Sequence, residues 1–453
     1  MTSKRSLLTT FSAVATATFL LAACSSVGKG NRPVSAAIQP DAETVGKADT
    51  TAYVCIPKRL NFLLTFTNGE RGNYVNQAKW TSSDTARLRV SNGDIAIPDG
   101  SGAMYASGVM VPQAATGTAT VTAEYLGFKQ SINVTTDNVG TPRIVPAQLD
   151  LAPGSFGVFT LLGELNGVTT QLAPNWTFLA PDTTVANITR LGGVVSATGK
   201  ASSPVVNDRK ITAQAELIGC PTGISIKPTA DVNVSVLKIL MLTQEFSSNN
   251  LVVGTTEKMT ATGTLTNNAK QDLTQQVEYT ASDTSLVSLL SSDLYGYLKA
   301  LKASTTSVTV SAVFRNTIDN PSTTIPSNNT LSITPIDATL MGISITPPST
   351  PTIIAAGSSA NFVSTGTFSP ATAPTTSITQ PNTRDVKWES SDTASILIAT
   401  STASVTNVLA GLAFAPTTAV SKTSVTITAS PIGTITPCTP GPLCVMNSGV
   451  MVK

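Results

Sequence analysis

The chain is 453 residues long, which exceeds what one hydrophobic core serves and predicts about three domains from length alone. Only 12% of the residues are charged and the formal net charge is +2, which argues against a nucleic-acid surface because such surfaces need a dense basic stripe. The sequence contains no histidine, which excludes Ser-His and Cys-His nucleophiles and histidine-bound metals.

The N-terminal segment has the organisation of an export signal. Two basic residues precede an apolar segment over residues 7–20, and the tetrad Leu21–Cys24 (Leu-Ala-Ala-Cys) follows it. This order predicts a secretory signal peptide over residues 1–23, which is too short for a stable transmembrane helix. The tetrad resembles the lipobox of bacterial lipoproteins, and the resemblance implies cleavage before Cys24 and diacylation of its thiol. The alternative is an ordinary signal peptide followed by a chance cysteine.

Residues 24–50 show no apolar periodicity, which predicts a lipidated, flexible tether. Ser25 follows Cys24 directly. In lipoproteins of bacteria with two membranes, a serine at this position usually accompanies sorting to the outer membrane. The lipoprotein resemblance therefore implies a lipid-anchored protein of the cell envelope, on the outer membrane if the organism has one.

The rest of the chain repeats one short sequence four times. Trp80–Ala86 (Trp-Thr-Ser-Ser-Asp-Thr-Ala) returns as Trp388–Ala394, and looser copies begin at Trp176 and Tyr279. The copies are about 100 residues apart, which is the size of a small sandwich domain. The repeat therefore predicts four domains. Their predicted bounds are 51–137, 138–236, 237–336 and 337–453.

Each predicted domain contains a strand that alternates apolar and polar residues late in its sequence. These strands begin at Gly117, Lys210, Ser307 and Ser424. Thr and Val suit a pleated surface, while Pro and Gly punctuate the runs, so short strands at regular spacing predict an all-β sandwich. Domains that meet almost without a linker, as at Val236-Leu237, predict an elongated, semi-rigid rod.

The repeat resembles the bacterial immunoglobulin-like domains of group 2, known as Big-2. The residues that carry the resemblance are Trp80–Ala86, Trp388–Ala394 and the Gly-Thr-Ala-Thr-Val-Thr-Ala strand from Gly117. It implies a tandem array of four immunoglobulin-like β-sandwiches. Members of this family occur in bacterial surface proteins, including adhesins, and also as accessory modules of enzymes.

The repeated aromatic residue is interpreted as core and the following aspartate as a turn. A large ring fills the gap between two sheets, and these rings belong to Trp80, Trp176, Tyr279 and Trp388. Aspartate accepts hydrogen bonds from backbone N–H groups two residues on, and the predicted turn residues are Asp84, Asp182, Asp283 and Asp392. The alternative is calcium at the domain joints through Asp84 or Asp392. Calcium needs several converging oxygen ligands, and acidic clusters are scarce, so no metal or other cofactor is predicted.

Four cysteines remain after Cys24, and an exported chain favours their pairing. Four cysteines allow three connectivities. Cys438 and Cys444 flank a turn-forming Thr-Pro-Gly-Pro-Leu segment, which favours a local bridge, and Cys55–Cys220 then follows by elimination. A bridged C-terminal loop at the tip of the rod is either a preorganised binding loop or a device that ties down the last domain.

The sequence favours a non-enzymatic, lipid-anchored rod that serves adhesion or envelope structure. The expected partners are the membrane, through the lipid anchor, and another surface protein or a glycan, but no nucleic acid. The alternatives are a module protein that binds polysaccharide or peptidoglycan, and a scaffold of an envelope complex. Exposed aromatic side chains on a sheet face would favour glycan binding.

Overall fold

The computed structural model describes the following residues: 31–40, 50–99, 101–198, 209–245, 248–290, 295–316, 323–349, 352–354, 358–373, 375–401, 409–416, 422–432 and 444–452. The regular secondary structure of these ranges consists of β-strands, which form two or three sheets around each of four separate cores. Within the same ranges no helix has the length and apolar character needed to cross a bilayer. The predicted signal peptide and Cys24 lie outside the described residues.

Domain 1 is a two-sheet sandwich. Its strands are β1 Pro33–Pro40, β2 Thr51–Tyr53, β3 Lys58–Phe66, β4 Arg71–Asn73, β5 Lys79–Ser82, β6 Leu88–Val90, β7 Val109–Pro112, β8 Gly117–Tyr125 and β9 Phe128–Asp137. One sheet has the order β1-β3-β7-β6, with β4 also paired to β3, and the other has the order β2-β9-β8-β5. On β8 the alternation turns Ala119, Val121 and Ala123 into the core and leaves the threonines between them outside.

The structure corrects the predicted tether at its C-terminal part. We expected residues 24–50 to lack structure, but β1 (Pro33–Pro40) pairs antiparallel with β3 over the register Pro33↔Phe66 to Pro40↔Leu60. The side chains of Ala36 and Ile38 pack against the core of domain 1. Two alternating small apolar residues are a weak periodic signal in sequence, and they become a strand because β3 offers an unpaired edge.

Domain 2 repeats this sandwich with the central strand divided in two. Its strands are β10 Gly140–Val145, β11 Gln148–Leu151, β12 Phe156–Val158, β13 Thr160–Leu165, β14 Val168–Leu172, β15 Asn175–Phe178, β16 Ala186–Ile188, β17 Val194–Ala197, β18 Arg209–Glu216 and β19 Thr229–Val234. The sheet β11-β19-β18-β15 faces two smaller sheets, β10-β13-β14 and β12-β17-β16.

Domain 3 has the undivided central strand and one added edge strand, β28. Its strands are β20 Leu237–Gln244, β21 Asn250–Val252, β22 Thr256–Leu265, β23 Lys270–Asp272, β24 Val277–Ala281, β25 Val287–Leu289, β26 Tyr297–Ala300, β27 Val308–Asn316, β28 Thr323–Pro326 and β29 Leu331–Ile336. The sheets are β20-β22-β26-β25 with β23 on β22, and β21-β29-β27-β24 with β28 on β27.

Domain 4 follows the divided pattern of domain 2. Its strands are β30 Ala338–Thr346, β31 Ile353–Ile354, β32 Ser359–Asn361, β33 Val363–Pro370, β34 Ile378–Pro381, β35 Val386–Ser390, β36 Leu397–Ile398, β37 Leu412–Phe414, β38 Lys422–Pro431 and β39 Val445–Val452. The sheets are β31-β39-β38-β35, β30-β33-β34 and β32-β37-β36.

One topological feature recurs in every domain. The short second strand pairs parallel with the last strand, as β2 with β9, β11 with β19, β21 with β29 and β31 with β39, whereas the other pairings are antiparallel. The four domains are therefore copies of one immunoglobulin-like sandwich. One or two residues separate the last strand of each domain from the first strand of the next, so the protein is a tandem all-β array that forms an elongated rod.

Candidate functional site

The repeated aromatic residues lie between the sheets of their domains. Trp80, Trp176 and Trp388 are buried and pack against Phe62, Phe159 and Phe362, with ring centroids 5.7 to 6.4 Å apart. Phe62 lies on β3, and the other two phenylalanines lie at the breaks in the divided central strands of domains 2 and 4. In domain 3, Tyr279 is half-buried and packs against Tyr295. Burial raises the pKa of Tyr279, so its phenol stays protonated as a hydrogen-bond donor.

The polar atom of three of these rings donates a hydrogen bond to a backbone carbonyl at the same sequence spacing. Trp80 Nε1 donates to Val75 O at 2.9 Å, and Trp388 Nε1 donates to Thr383 O at 2.8 Å. Tyr279 Oη donates to a carbonyl at the same spacing, Thr274 O, at 3.3 Å. The acceptor lies five residues before the ring each time, so the aromatic residue both fills the core and closes the loop that leads into its own strand.

Each domain has a glycine that lies against its aromatic ring or, in domain 4, against Phe362 and Thr383, which themselves contact Trp388. All four glycines have positive φ, and each directly precedes a strand. They are Gly108 before β7, Gly193 before β17, Gly296 before β26 and Gly411 before β37. A Cβ on Gly193 would lie 2.9 Å from the Trp176 ring and 2.5 Å from Phe159 O. Only glycine combines this backbone angle with this closeness. The available sequence signal was a glycine directly before a short apolar strand.

The repeated aspartates shape turns. Asp84 Oδ1 accepts from the N–H groups of Ala86 and Arg87, each at 3.1 Å. Asp392 makes the equivalent bonds to Ala394 N at 3.1 Å and Ser395 N at 3.3 Å. These carboxylates therefore serve the backbone of their own turns. Among the described residues, no group of three or more Cys, Asp or Glu side chains is arranged to hold a metal ion.

In domains 2 and 3 the turn aspartate also binds a hydroxyl group. Asp182 Oδ1 accepts from Thr184 Oγ1 at 2.5 Å, and Asp283 Oδ1 accepts from Ser285 Oγ at 2.6 Å. These side-chain hydrogen bonds, together with the backbone bonds from the same two residues, lower the pKa of both aspartates.

The serine before the aspartate links two strands of one sheet. Ser83 N donates to Thr120 O and Ser83 Oγ accepts from Thr120 N, both at 2.9 Å. Ser282 makes the same pair of bonds with Thr309, and Ser391 makes it with Thr426. The whole motif is thus a folding device: a core ring, a bridge to the neighbouring strand and a capped turn.

The joint between domains 1 and 2 is covalent. Cys55, in the loop after β2, is disulfide-bonded to Cys220, in the loop after β18. Cys55 also forms an isolated antiparallel bridge with Gly219, and Tyr53, Val54 and Cys55 extend the core of domain 2. The C-terminal cysteine Cys444 is disulfide-bonded, and its predicted partner Cys438 lies outside the described residues.

An open cleft of about 210 Å³ lies beside this disulfide. Its walls are Pro98 and Asp99 from domain 1 and the Glu216–Ile218 segment, Cys220 and Ile224 from domain 2. Hydrogen bonds from Ser101 lower the pKa of Asp99. The Glu216 carboxylate is paired with Lys227 Nζ at 2.8 Å. The cleft is therefore a mixed polar and apolar groove between two rigidly connected domains.

The joint between domains 2 and 3 is closed by two glutamine side chains. Gln271 on β23 accepts from Ala152 N at 2.8 Å and donates to Ser155 Oγ at 2.8 Å. Gln276 accepts from Phe156 N at 2.8 Å and donates to Phe156 O at 3.0 Å. Gln271 reaches the loop between β11 and β12 and Gln276 reaches the first residue of β12, so the next domain hydrogen-bonds the backbone at this end of domain 2.

The joint between domains 3 and 4 uses the same positions. Gln380 on β34 donates to Thr255 Oγ1 at 2.5 Å and accepts from Val252 N at 3.4 Å. Asp385 accepts from Thr256 N at 3.0 Å and from Thr256 Oγ1 at 2.7 Å. The neighbouring Arg384 guanidinium lies 4.3 Å from the centroid of the Tyr297 ring, a cation–π contact across the same joint.

No protein-family profile matches the chain, and no curated protein matches it. Among solved structures, the chain is similar to domains 4–9 of the surface layer protein SbsC, with 14% identity and a TM-score of 0.22 over 92% of this chain and 66% of that chain. It spans slightly less than two thirds of that structure. Domains 5–6 of the S-layer protein SbsC match 44% of this chain and 99% of that chain, with 15% identity and a TM-score of 0.21.

Mouse cadherin-23 EC22–24 is similar over 67% of this chain and 99% of that chain, with 14% identity and a TM-score of 0.19. At these TM-scores the assignment of the fold rests on the strand topology of the chain itself.

Proposed function

We propose that the protein is a non-enzymatic, lipid-anchored component of a bacterial cell envelope, in which four immunoglobulin-like domains form a stiff rod for adhesion or envelope structure. The observation that carries this proposal is the closure of all three joints by specific side-chain bonds. The joints contain the Cys55–Cys220 disulfide, the Gln271 and Gln276 amides, and the Gln380 and Asp385 side chains. Linkers of one or two residues add to the stiffness.

Stiffness has a use at a membrane surface. The far end of a flexible anchored chain lies at a variable and often short distance from the membrane. A rod with closed joints keeps its far end at a distance set by the number of domains. Support for an envelope location comes from the predicted signal peptide and from Cys24, the cysteine that the lipobox resemblance marks for diacylation. Big-2 membership is part of the same proposal and rests on the repeated Trp80 and Trp388 motifs.

Glycan binding remains the second candidate from sequence, and the surface of the described residues does not favour it. The aromatic side chains that are exposed in those ranges are Phe156 at 46% and Phe414 at 40%, and they belong to different domains. Carbohydrate platforms need neighbouring aromatic faces. The three tryptophans, which would serve best, fill the domain cores.

Fractionation of cells that produce the protein tests the anchor. The wild-type protein should be found in the membrane fraction, whereas Cys24→Ala should be released from it, because no acyl chain would remain to insert. Ser25→Ala is the matched control and should stay membrane-bound while changing only the membrane in which it is found. A Cys24→Ala protein that remains in the membrane would contradict the anchor.

Protease treatment of intact cells tests the direction of the rod. Release of the domains from intact cells indicates an outward-facing rod suited to adhesion, and protection until the outer membrane is opened indicates a periplasmic structural role. Small-angle scattering of the soluble Cys24→Ala protein tests stiffness separately. A distance distribution that matches freely jointed domains would overturn the stiff rod.

A further inference from the structure

Gln276 and Asp385 occupy the same place in successive domains but differ in chemistry. Each lies three residues before the repeated aromatic residue of its domain, Tyr279 or Trp388. Each bonds the residue that begins the central strand of the preceding domain, Phe156 for Gln276 and Thr256 for Asp385. An amide cannot titrate, whereas a carboxyl group can, so only one of the two joints contains a protonation site at this position.

Burial of Asp385 favours its neutral form. Burial in the joint raises the pKa of Asp385 to about 6, although the hydrogen bonds from Thr256 act in the opposite direction. Protonation preserves both contacts, because the Thr256 hydroxyl can accept a hydrogen bond from the acid O–H while Thr256 N–H donates to the other oxygen. The neutral acid therefore keeps the same partners without the cost of desolvating a charge.

We propose that the joint between domains 3 and 4 is a pH-sensitive hinge that closes more tightly when Asp385 is protonated, while the equivalent Gln276 contact between domains 2 and 3 does not respond to pH. In the closed joint the carboxyl group binds Thr256, and in the open joint it faces water. Acid favours the closed joint because the closed form binds the proton more tightly. An extracellular or periplasmic protein meets such pH changes directly.

The charged groups around Asp385 affect the pH range over which the joint between domains 3 and 4 responds. Lys299 on β26 and the adjacent Arg384 stabilise its ionised form, which works against burial. Tyr297 on β26 has a raised pKa because of burial and so stays neutral in this range. On β22, Glu257 follows Thr256 directly and accepts from Glu245 N at 2.6 Å. A variant that changes Asp385 alone is therefore needed to separate it from Glu257 and Glu245.

Hydrogen exchange of two backbone amides in the full-length protein tests the hinge. Thr256 N–H is bonded to Asp385 and Phe156 N–H is bonded to Gln276, so each amide is protected only while its joint is closed. After correction for intrinsic exchange, protection of Thr256 should be about tenfold higher at pH 5 than at pH 7.5, given a pKa of about 6 in the closed joint and an ordinary value in the open one. Protection of Phe156 should be the same at both pH values.

Reciprocal variants make the result decisive. Asp385→Asn should give Thr256 protection that no longer depends on pH, and Gln276→Asp should make Phe156 protection depend on pH. The fluorescence of Trp388 establishes that domain 4 of Asp385→Asn is folded, and far-UV circular dichroism establishes the fold of Gln276→Asp, because domain 3 contains no tryptophan. The Gln276→Asp variant carries the test if Asp385→Asn fails to fold. Equal Thr256 protection at both pH values in the wild type, or a pH response that persists in Asp385→Asn, would overturn the hinge.

Discussion

Gly108 lies directly against Trp80 in domain 1, so close that a Cβ on Gly108 would fall 3.3 Å from Trp80 Cζ2 and 2.8 Å from Leu60 O. Gly108 also has φ of 80°, a value that side chains disfavour. The ring, the glycine and the central strand therefore form one packed unit. Gly193 and Trp176 repeat this contact in domain 2, so the stability of these sandwiches depends directly on the unit.

Replacement of Gly108 by alanine should destabilise domain 1 by about 2–4 kcal/mol, since backbone strain and a steric clash add. Gly69→Ala is the matched control, because Gly69 has a φ of 82° but nothing within 4 Å of its Cβ position. The control substitution should lower the free energy of unfolding of domain 1 by only about 1 kcal/mol. Hydrogen exchange of the β5 and β8 amides across a urea series measures both values, and equal losses would contradict the role of the ring contact.

Removal of the Trp388 ring in domain 4 should lower the free energy of unfolding more than removal of the Tyr279 phenol oxygen in domain 3. Trp388→Ala empties a buried site and leaves Thr383 O without its donor, which predicts a loss of about 3–5 kcal/mol. Tyr279→Phe removes only the bond to Thr274 O from a half-buried ring, which predicts about 1 kcal/mol. Urea denaturation of each variant, followed by hydrogen exchange within the affected domain, supplies the comparison.

Reduction of the Cys55–Cys220 disulfide should loosen the first joint without unfolding the domains. The bond joins residues 165 apart in sequence, yet domain 1 has its own core around Trp80 and domain 2 has its own around Trp176. A Cys55→Ala, Cys220→Ala double variant should therefore retain both sandwiches but show a broader interdomain distance distribution. Global loss of β-structure in the double variant would mean that the disulfide supports the domains themselves.

The acid response of domain 3 should depend on Asp283. Its pKa is lowered in the fold by bonds from Ser285, so its stabilising contribution is present above the ordinary aspartate pKa and is lost as pH falls through the lowered value. Between pH 5 and pH 2.5, the unfolding midpoint of the wild type should therefore fall further than that of Asp283→Asn. Identical shifts in the two proteins would remove Asp283 from the acid response.

Some features of this protein could be predicted from its sequence, and others could not. The alternation on β8 and the recurrence of Trp80 as Trp388 predicted an all-β array, because strand period and repeat length are local properties of the chain. The strand Pro33–Pro40 was missed because its pattern is weak and its partner residues on β3 lie 20 to 33 positions further along the chain. The glycines beside the rings were missed for a similar reason, since their contacts are long-range.

The sequence by itself determined the repeat, the β-class of each domain, the aromatic positions and the candidate anchor at Cys24, because these follow from residue type and spacing. Only the tertiary structure decided what happens at the joints. Gln276 and Asp385 become partners of Phe156 and Thr256 because consecutive sandwiches place the start of the central strand of one domain against the turn before the aromatic strand of the next. Such contacts connect residues about 120 positions apart, a separation at which sequence patterns carry no information about geometry.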